Sequence, residues 1–484
     1  MRCLSLAEAL KARGAIVVFA MRSLPGGLSD RVQARGFEAI EIDAPRDMSE
    51  AEDAAQTRAA LTFNPDWIVV DHYRLSAVWE TAMRQIGASI LAIDDLADRA
   101  HDCDALLDQN LVSGMQERYS GLADSAMLRL LGPRYALLRQ DYRTARAKLP
   151  RKAGPVRSIL AYFGAADRLL TLMAAQAFLT IDLGGVRLDI VLDKGNPQHD
   201  EVSRLCAQSD LVKLHAQMPD LIDAMARADL CLGASGATTW ERLCMGLPAI
   251  VVTMADNQVP IATELARRGL ITWIGDAKDL QTDTMAAAIG RAVKRGFSAS
   301  QIEAMMETVD GLGVERVCDA ITVRAGETVV IRKVQPGDKG MVLEWANDPG
   351  TRSQAFNPSH ISAEDHERWF AKRLADNRVA FYIAETDHGV PAGQVRFEAA
   401  ADGTREISYL IAPLFRGRGL GQSVLAGGLA AFSEEYGPAP MRGLVKAGNA
   451  ASARIFRALG FAESHALNAP ETLVFELHLR HSSK

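Results

Sequence analysis

The chain has 484 residues, 48% hydrophobic and 24% charged, a balance that excludes a disordered, collagen-like or disulfide-dense polypeptide. At roughly 150 residues per domain this length argues for about three domains. Lys+Arg 54 against Asp+Glu 60 leaves a net charge of −6, so no basic surplus marks nucleic acid as a partner. The cysteines (Cys3, Cys103, Cys206, Cys231, Cys244, Cys318) are scattered without a Cys-x-x-Cys pair. That spacing predicts no metal site and buried thiols in a reducing cytosol. No apolar run approaches the roughly 18 residues of a membrane span, and the start lacks a charged-then-apolar leader. The expectation is a cytoplasmic protein with no membrane partner.

Residues 2–13 place Cys3, Leu6, Ala7 and Leu10 on one helical face, and Gly14 can close that helix. Residues 15–21, 67–70 before Asp71 and 89–93 before Asp94 are continuous apolar runs of strand length. Strands covered on both faces in parallel sheets read this way. Near 148–155 the composition turns to Lys, Arg, Pro and Gly, a linker pattern. Strand-like runs resume at 157–163, 187–192, 230–232 and 249–252, each followed by a helical segment. The prediction is an α/β protein with two doubly wound lobes, 1–150 and 151–322, binding ligands where strand ends face a cleft. The chain opens directly on a helix, whereas the first strand of such a sheet is usually central and supplies the phosphate-binding turn. The first lobe is therefore expected to lack its opening strand, with Met1 an internal methionine; the alternative is a fold that begins with a helix.

From 327 to 480 the pattern changes to a mixed α+β domain. Strands are expected at 327–334, 381–385, 391–397, 406–411 and 441–445. Helices are expected at 338–346 and 363–376, from Gly421, and ending at Leu459. Between strand 406–411 and the helix from Gly421 runs Arg416-Gly417-Arg418-Gly419-Leu420-Gly421. Successive N–H groups of a glycine-rich turn, backed by a helix N-terminus, make a cradle for pyrophosphate, where a Cβ would block close approach. Alone, such a turn also reads as a solvated loop. Downstream, Asn449 and Ser452 stand at a helix start and Gly460-Phe461 just past its end.

The stretch 328–479 resembles the GNAT N-acetyltransferase superfamily. Its acetyl-CoA signature, Gln/Arg-x-x-Gly-x-Gly/Ala, is matched by Arg416, Gly419 and Gly421, with Gly417 and Arg418 between them. The second block resembles Asn-x-x-Ser-x-x-x-Tyr-x-x-x-Gly-Phe. The resemblance implies acetyl-CoA as acyl donor and Asn449 and Ser452 as contacts to its arm. An amine attacks a thioester only when neutral, so a base must take its proton. Glu406 matches the acidic position that many GNAT enzymes use; the alternative is an exposed strand carboxylate. Backbone N–H groups near 413–415 are expected to polarise the thioester carbonyl at a strand splay. Where many relatives carry a tyrosine that reprotonates the thiolate, this chain has Phe456, so water or another group must serve. On the acceptor side, the stretch from Trp345 to Phe370 resembles the ribosomal-protein acetyltransferase-like branch, which includes enzymes acting on amino sugars of nucleotides. Trp345 and Trp369 are candidates to stack on a sugar ring or to fill core. His360 and His366 are candidate proton carriers or surface residues.

In the second lobe, Gly233-Ala234-Ser235-Gly236-Ala237-Thr238 follows a strand and opens a helix. Small residues admit a diphosphate to the backbone amides, Ser235 and Thr238 add hydroxyls, and Glu241 can accept from ribose. Singly, this turn is also a helix cap. Asp256-Asn257-Gln258 follows the next strand, and the two blocks together predict a UDP-sugar site. The arrangement resembles the GT-B architecture of the peptidoglycan GlcNAc-transferase and, more closely, the UDP-sugar hydrolase of the pseudaminic acid pathway. Asp71-His72-Tyr73, Asp94-Asp95, the run from Gly132 to Arg139 and Phe163-Gly164-Ala165-Ala166-Asp167 fit that family, with Ala165 in a glycine position. The family opens with a strand and Gly-x-Gly-His-x-x-Arg-Cys-Leu. Arg2-Cys3-Leu4 match its end, and the catalytic histidine would precede Met1. His72 and Asp71 are the remaining candidates near the hydrolytic cleft, with Tyr73 beside the substrate. The resemblances together imply a bifunctional enzyme of nonulosonic acid biosynthesis that N-acetylates a UDP-amino-sugar and releases UDP, the hydrolase half impaired as written. The alternatives are a GT-B glycosyltransferase fused to an acetyltransferase, and an acetyltransferase carrying a non-catalytic UDP-sugar-binding module.

Overall fold

A computed structural model describes residues 1–22, 28–42, 48–124, 127–148, 153–164, 167, 169–216, 218, 221–323, 326–466 and 469–478. Ala165, Ala166 and half of the expected linker, 149–152, lie outside the described residues. The chain gathers into two compact units, Met1–Val317 and Cys318–Lys484. No helix among the described residues is long and apolar enough to cross a membrane.

The first unit opens on the helix Arg2–Ala12, which buries Leu6 and Ala7 of the expected face together with Leu4 and Ser5, while Cys3 and Leu10 are partly buried. Leu4 and Ala7 pack with Val32 and Phe37 against the parallel pair β1 (Val18–Arg22) and β2 (Glu38–Ile42). A separate parallel sheet follows, in the order β3 (Trp67–Asp71), β4 (Ser89–Ile93), β5 (Ala105–Asp108), β6 (Leu128–Leu131). Among the described residues β1 and β3 therefore have one hydrogen-bonded strand neighbour each. In the second lobe the sheet is continuous. It contains β7 (Ser158–Tyr162), β8 (Arg187–Val191), β9 (Val212–His215), β10 (Leu230–Ala234), β11 (Ala249–Thr253) and β12 (Thr272–Asp276). Their order is β12-β11-β10-β7-β8-β9, all parallel. This is the doubly wound pattern, and the topology reverses between β7 and β10, the point at which such sheets generally open a crevice at their C-terminal strand ends. β10 and β11 are buried along their whole length, which is why they read as unbroken apolar runs. One buried cluster joins the lobes, running from Leu106 and Tyr119 to Leu160 and Val251.

The second unit is built on a seven-stranded sheet in the order β13-β14-β15-β16-β17-β19-β18. These strands are β13 (Val330–Lys333), β14 (Val379–Glu385), β15 (Pro391–Ala399), β16 (Arg405–Ile411), β17 (Pro440–Lys446), β18 (Ala462–Ala466) and β19 (Ala469–His478). All pairs are antiparallel except β16–β17. The helix Gly421–Tyr436 lies on one face, so close that a Cβ at Gly428 would meet Val395 at 2.9 Å. On the other face, Val342 of the helix Lys339–Asn347 and Phe370 of the helix Ala363–Ala375 pack on Phe381 and Ile383 of β14.

Candidate functional site: two small-residue loops and a splayed strand pair

In the second lobe the turn after β10 stands at the topological switch. A buried guanidinium holds it from beneath: Arg242, 1% exposed, donates to Ala234 O at 2.9 Å, Thr239 Oγ1 at 3.0 Å and Thr238 Oγ1 at 3.0 Å. Gly233 is needed there, because a Cβ would meet Arg242 Nη1 at 2.7 Å. Among the described residues, Ser235 Oγ is buried with no partner, and nothing lies within 4 Å of a Cβ position at Gly236. Across the switch point, Gly164 takes φ +88° and Asp167 Oδ1 accepts from Leu170 N at 2.9 Å. Asp256 and Asn257 are exposed in a 3-10 turn, and Gln258 Oε1 accepts from Met254 N at 2.9 Å. Glu241 lines a cleft of about 90 Å³ with Arg2, Gln109, Arg139 and Trp240, and burial pushes its carboxyl pKa up.

The C-terminal ends of β3, β4 and β5 carry a connected network of charges. Arg2 grips Asp71 with Nε at 3.0 Å and Nη2 at 2.6 Å, and reaches Asp95 Oδ1 with Nη1 at 2.9 Å. Cys3 Sγ also donates to Asp71 at 3.0 Å, and burial pushes this thiol's pKa up. Although burial opposes it, Arg2 holds the Asp71 carboxyl below its ordinary range. Tyr73 donates to Asp95 Oδ2 at 3.3 Å. His72 is exposed, its Nδ1 accepts from Arg74 N at 3.1 Å, and burial followed by Arg74 lowers its pKa. Deeper, Tyr119 OH lies 3.1 Å from Asp94 Oδ2 and 3.0 Å from Asp108 Oδ2. Burial raises Asp108 to about 6.

His101 closes this network between Glu80 Oε1 at 2.8 Å and Asp94 Oδ2 at 3.7 Å. Burial pulls the imidazolium pKa down, but Asp94 and Glu80 outweigh it and raise it to about 9. A folded pKa above the unfolded value of about 6.5 means the contribution to stability is complete below that pH and lost as pH rises through about 9. Wild-type urea midpoints should therefore fall between pH 7 and 10, and His101→Asn should remove most of that slope. Equal slopes in the two proteins would contradict the assignment.

In the second unit, β16 and β17 pair at Arg405↔Met441, Glu406↔Arg442 and Ile407↔Gly443, then separate. β16 continues on β15 as far as Ile411, and β17 on β19 as far as Lys446, so a wedge opens between them. Phe456 sits at its base, 2% exposed and stacked on Phe475 at 5.0 Å. Its ring tip abuts Gly443, where a Cβ would meet Cζ at 2.4 Å. Ala412 N donates to Ala392 O, so strand alternation turns the N–H groups of Tyr409 and Ile411 away from β15 and into the wedge. The Tyr409 hydroxyl lies 2.8 Å from Ser452 Oγ.

Beside the wedge, Gly417 and Gly419 take φ +73° and +79°, a left-handed path open to glycine, and lead into the helix Gly421–Tyr436. That helix has no side-chain N-cap, so its first N–H groups are left for an anion. Arg418 has no acceptor among the described residues, and burial lowers its pKa. Glu406 is exposed on β16, opposite Glu398 of β15, and takes no hydrogen bond from a described residue.

Residues 328–462 match the family model for an acetyltransferase (GNAT) domain. The C-terminal unit carries a GNAT acetyltransferase domain. An uncharacterized protein of Methanocaldococcus jannaschii is 20% identical over 96% of this chain and 93% of its own length. The spore coat polysaccharide biosynthesis protein SpsG of Bacillus subtilis is 25% identical over 38% of this chain, in its N-terminal part, and 56% of its own length. Among solved structures, spermidine N-acetyltransferase from Vibrio cholerae, in complex with CoA and spermine, is 18% identical with a TM-score of 0.28. It covers 31% of this chain and 95% of its own. The GNAT domain of S. lividans PAT is 18% identical, TM-score 0.27, covering 31% of this chain and 90% of its own.

Within the GNAT domain several sequence expectations shift. The Arg416 guanidinium turns back to pair with Asp348 and to donate to Thr351 Oγ1 at 2.6 Å, leaving Arg418 as the open cation of the loop. Asn449 Oδ1 caps the helix Ala450–Ala458 through Ser452 N at 3.1 Å, so this oxygen is committed to the fold. Of the residues expected to supply N–H donors at 413–415, Pro413 has no N–H and Phe415 N is bonded to Ala412 O at 2.9 Å; the N–H groups of Tyr409 and Ile411 face the wedge. Trp345 is core at 4% exposed, whereas Trp369 is half-buried with the Arg396 guanidinium 4.9 Å from its ring centroid. His366, a candidate surface residue or proton carrier, is 2% exposed, stacked on Phe370 and tilted against Trp369, while His360 is exposed. Cys3 is partly exposed, and Cys103, Cys206, Cys231, Cys244 and Cys318 are buried. Among the described residues no group of three or more His, Cys, Asp or Glu side chains is placed to hold a metal ion. Tyr409, Arg396 and Arg242 were not singled out from sequence. Arg396 was within reach, because Gln394, Arg396 and Glu398 alternate on one face of a strand expected to be apolar.

Proposed function

We propose that the protein uses acetyl-CoA to N-acetylate an amino sugar carried on a uridine nucleotide, and that the N-terminal lobes bind the same class of nucleotide sugar. The observation carrying the first half is the wedge between β16 and β17 beside an uncapped helix N-terminus and its left-handed glycine loop. The loop amides of Gly417, Gly419 and Gly421, with Arg418, suit the coenzyme's pyrophosphate, and the wedge suits its extended arm. Ser452 and the free amide of Asn449 flank that arm. Glu406 takes the proton of the attacking ammonium, directly or through water. Tyr409 and Ile411 N–H groups meet the carbonyl oxygen as the amine adds. The adduct's remaining extra N–H proton is lost to solvent as the C–S bond breaks, and the thiolate is protonated by the Tyr409 hydroxyl, which is refilled from solvent through Ser452.

The sugar assignment is supported by the likeness to SpsG and by the switch-point loop, where Ser235, Gly236 and Thr238 over Arg242 suit a diphosphate. Asn257, Gln258 and Glu241 lie on the loops and cleft nearby and suit the nucleoside. For these lobes, binding without hydrolysis is favoured by a specific observation: the Asp71 carboxylate is gripped by Arg2, and His72 Nδ1 already accepts from Arg74 N. UDP release, as in a pseudaminic-type route leading to flagellin glycosylation, is the second reading.

The test is a panel of amines (a polyamine, a peptide N-terminus and UDP-amino-sugars) assayed for thiol release and, separately, UDP release. The expected outcome is thiol release with the UDP-amino-sugar. Tyr409→Phe should slow turnover about tenfold with the acetyl-CoA KM unchanged. Thiol release confined to polyamine or peptide would refute the sugar reading, and UDP release would favour the bifunctional one.

A further inference from the structure

The sheet face of the GNAT domain beneath the helix Ala363–Ala375 carries a cluster of charged side chains. Register sets Phe381 of β14, Arg396 of β15 and Ser408 of β16 side by side, with Glu398 beside Glu406 one pleat further along. Side chains directly opposite in a ladder share a face, so Arg396, Glu398, Glu406 and Ser408 look the same way. The Arg396 guanidinium lies 4.9 Å from the Trp369 centroid and 5.7 Å from that of Phe381. Its Nε donates to Glu398 Oε1 at 2.6 Å. The other Glu398 oxygen receives Arg373 Nη2 at 2.9 Å, so two guanidinium groups share one carboxylate.

This leaves donors over. The Arg396 Nη groups have no acceptor among the described residues, and Arg373 Nε is buried without a partner. Gln394, 5% exposed on the same face, has its Oε1 unpartnered among the described residues. Aromatic rings fix the plane of Arg396 and exclude water from one side of it, which strengthens its pull on an anion. Arg396 and Glu406 are diagonal neighbours, about 7–8 Å apart between backbones, a spacing comparable to a sugar ring.

We propose that Arg396, backed by Arg373, is the anchor for an oxyanion on the acetyl acceptor, while Glu406 receives the ammonium. This rests on the acetyl-transfer reading above and sharpens it: the acceptor is an amino sugar bearing phosphate or carboxylate, with a neutral amino sugar a poor substrate. Arg396 positions the acceptor and takes no part in bond making.

The experiment compares a free amino sugar, its 1-phosphate, its uronate and its UDP conjugate as acceptors for wild type, Arg396→Gln and Arg396→Lys. In wild type the oxyanion-bearing acceptors should have KM values at least tenfold below the free sugar. Preference for the phosphate or UDP forms places the oxyanion on the nucleotide, and preference for the uronate places it on the sugar. Arg396→Gln should erase the difference by raising KM of the charged acceptors, leaving kcat and acetyl-CoA KM unchanged; Arg396→Lys should restore part of it. A second readout needs no turnover: inorganic pyrophosphate should change the fluorescence contributed by Trp369, defined against Trp369→Phe, in wild type and not in Arg396→Gln. Equal KM for charged and neutral acceptors overturns the proposal, and so does a uniform loss on all acceptors. Pyrophosphate binding through Arg396 without acetylation of any amino sugar would keep the anion site and refute the acetyl-transfer reading.

Discussion

Replacing Glu406 with glutamine should lower kcat for acetyl transfer by about 10²–10⁴ while the acetyl-CoA KM stays within about twofold. The direction follows from the protonation state of the nucleophile. At neutral pH an alkylamine is almost wholly ammonium and has no lone pair for the thioester. Glu406 is an exposed carboxylate on β16 that takes no hydrogen bond from a described residue, so no described donor competes for its lone pairs. Raising the pH supplies neutral amine without help, so the Glu406→Gln deficit should shrink steadily toward the amine's own pKa. Steady-state rates from pH 6 to 10 check this. A kcat within threefold of wild type at pH 7 would remove Glu406 from the chemistry.

Placing valine at both Gly417 and Gly419 should raise the acetyl-CoA Kd by about 100-fold or more. Each glycine sits at positive φ, +73° and +79°, where an L-residue costs about 1–2 kcal/mol and a β-branched one more. The chain relieves that strain by moving the loop, and the amides aimed at the pyrophosphate move with it. The informative control is an acetyl donor that ends at pantetheine and carries no pyrophosphate. Its turnover should be unchanged by the double substitution, which separates a lost cradle from an unfolded domain. Calorimetric titration with acetyl-CoA supplies the measurement, and unaltered affinity would mean that this turn does not hold phosphate.

The parts of this molecule that read clearly from sequence are those in which one physical demand dominates. β4, β10 and β11 are covered on both faces, and their unbroken apolar runs announced them. The turn at 416–421 was legible because a left-handed path before a helix requires glycine. β2 escaped notice because it puts Glu38 and Glu41 at the surface and looks like loop. Side-chain commitments were the hardest to foresee. Arg416 and Asn449 match a signature, and the structure also pairs Arg416 with Asp348 and uses Asn449 Oδ1 as a helix cap, contacts that the motif does not announce. Tyr409 meets Ser452 from 43 residues away, and Arg396 meets Trp369 and Glu398 only once three strands and a helix are assembled. Such pairings depend on register, which no local pattern encodes.

The most direct measurement of the acetyl-transfer claim is incubation of the full chain with acetyl-CoA labelled with ¹³C at the carbonyl and a UDP-amino-sugar, followed by NMR. The account predicts a new amide carbonyl signal coupled to the sugar nitrogen, formed at the rate of CoA release and nearly absent with Glu406→Gln. Label remaining on the thioester, or appearing only as free acetate, with acetyl-CoA demonstrably bound, would contradict it.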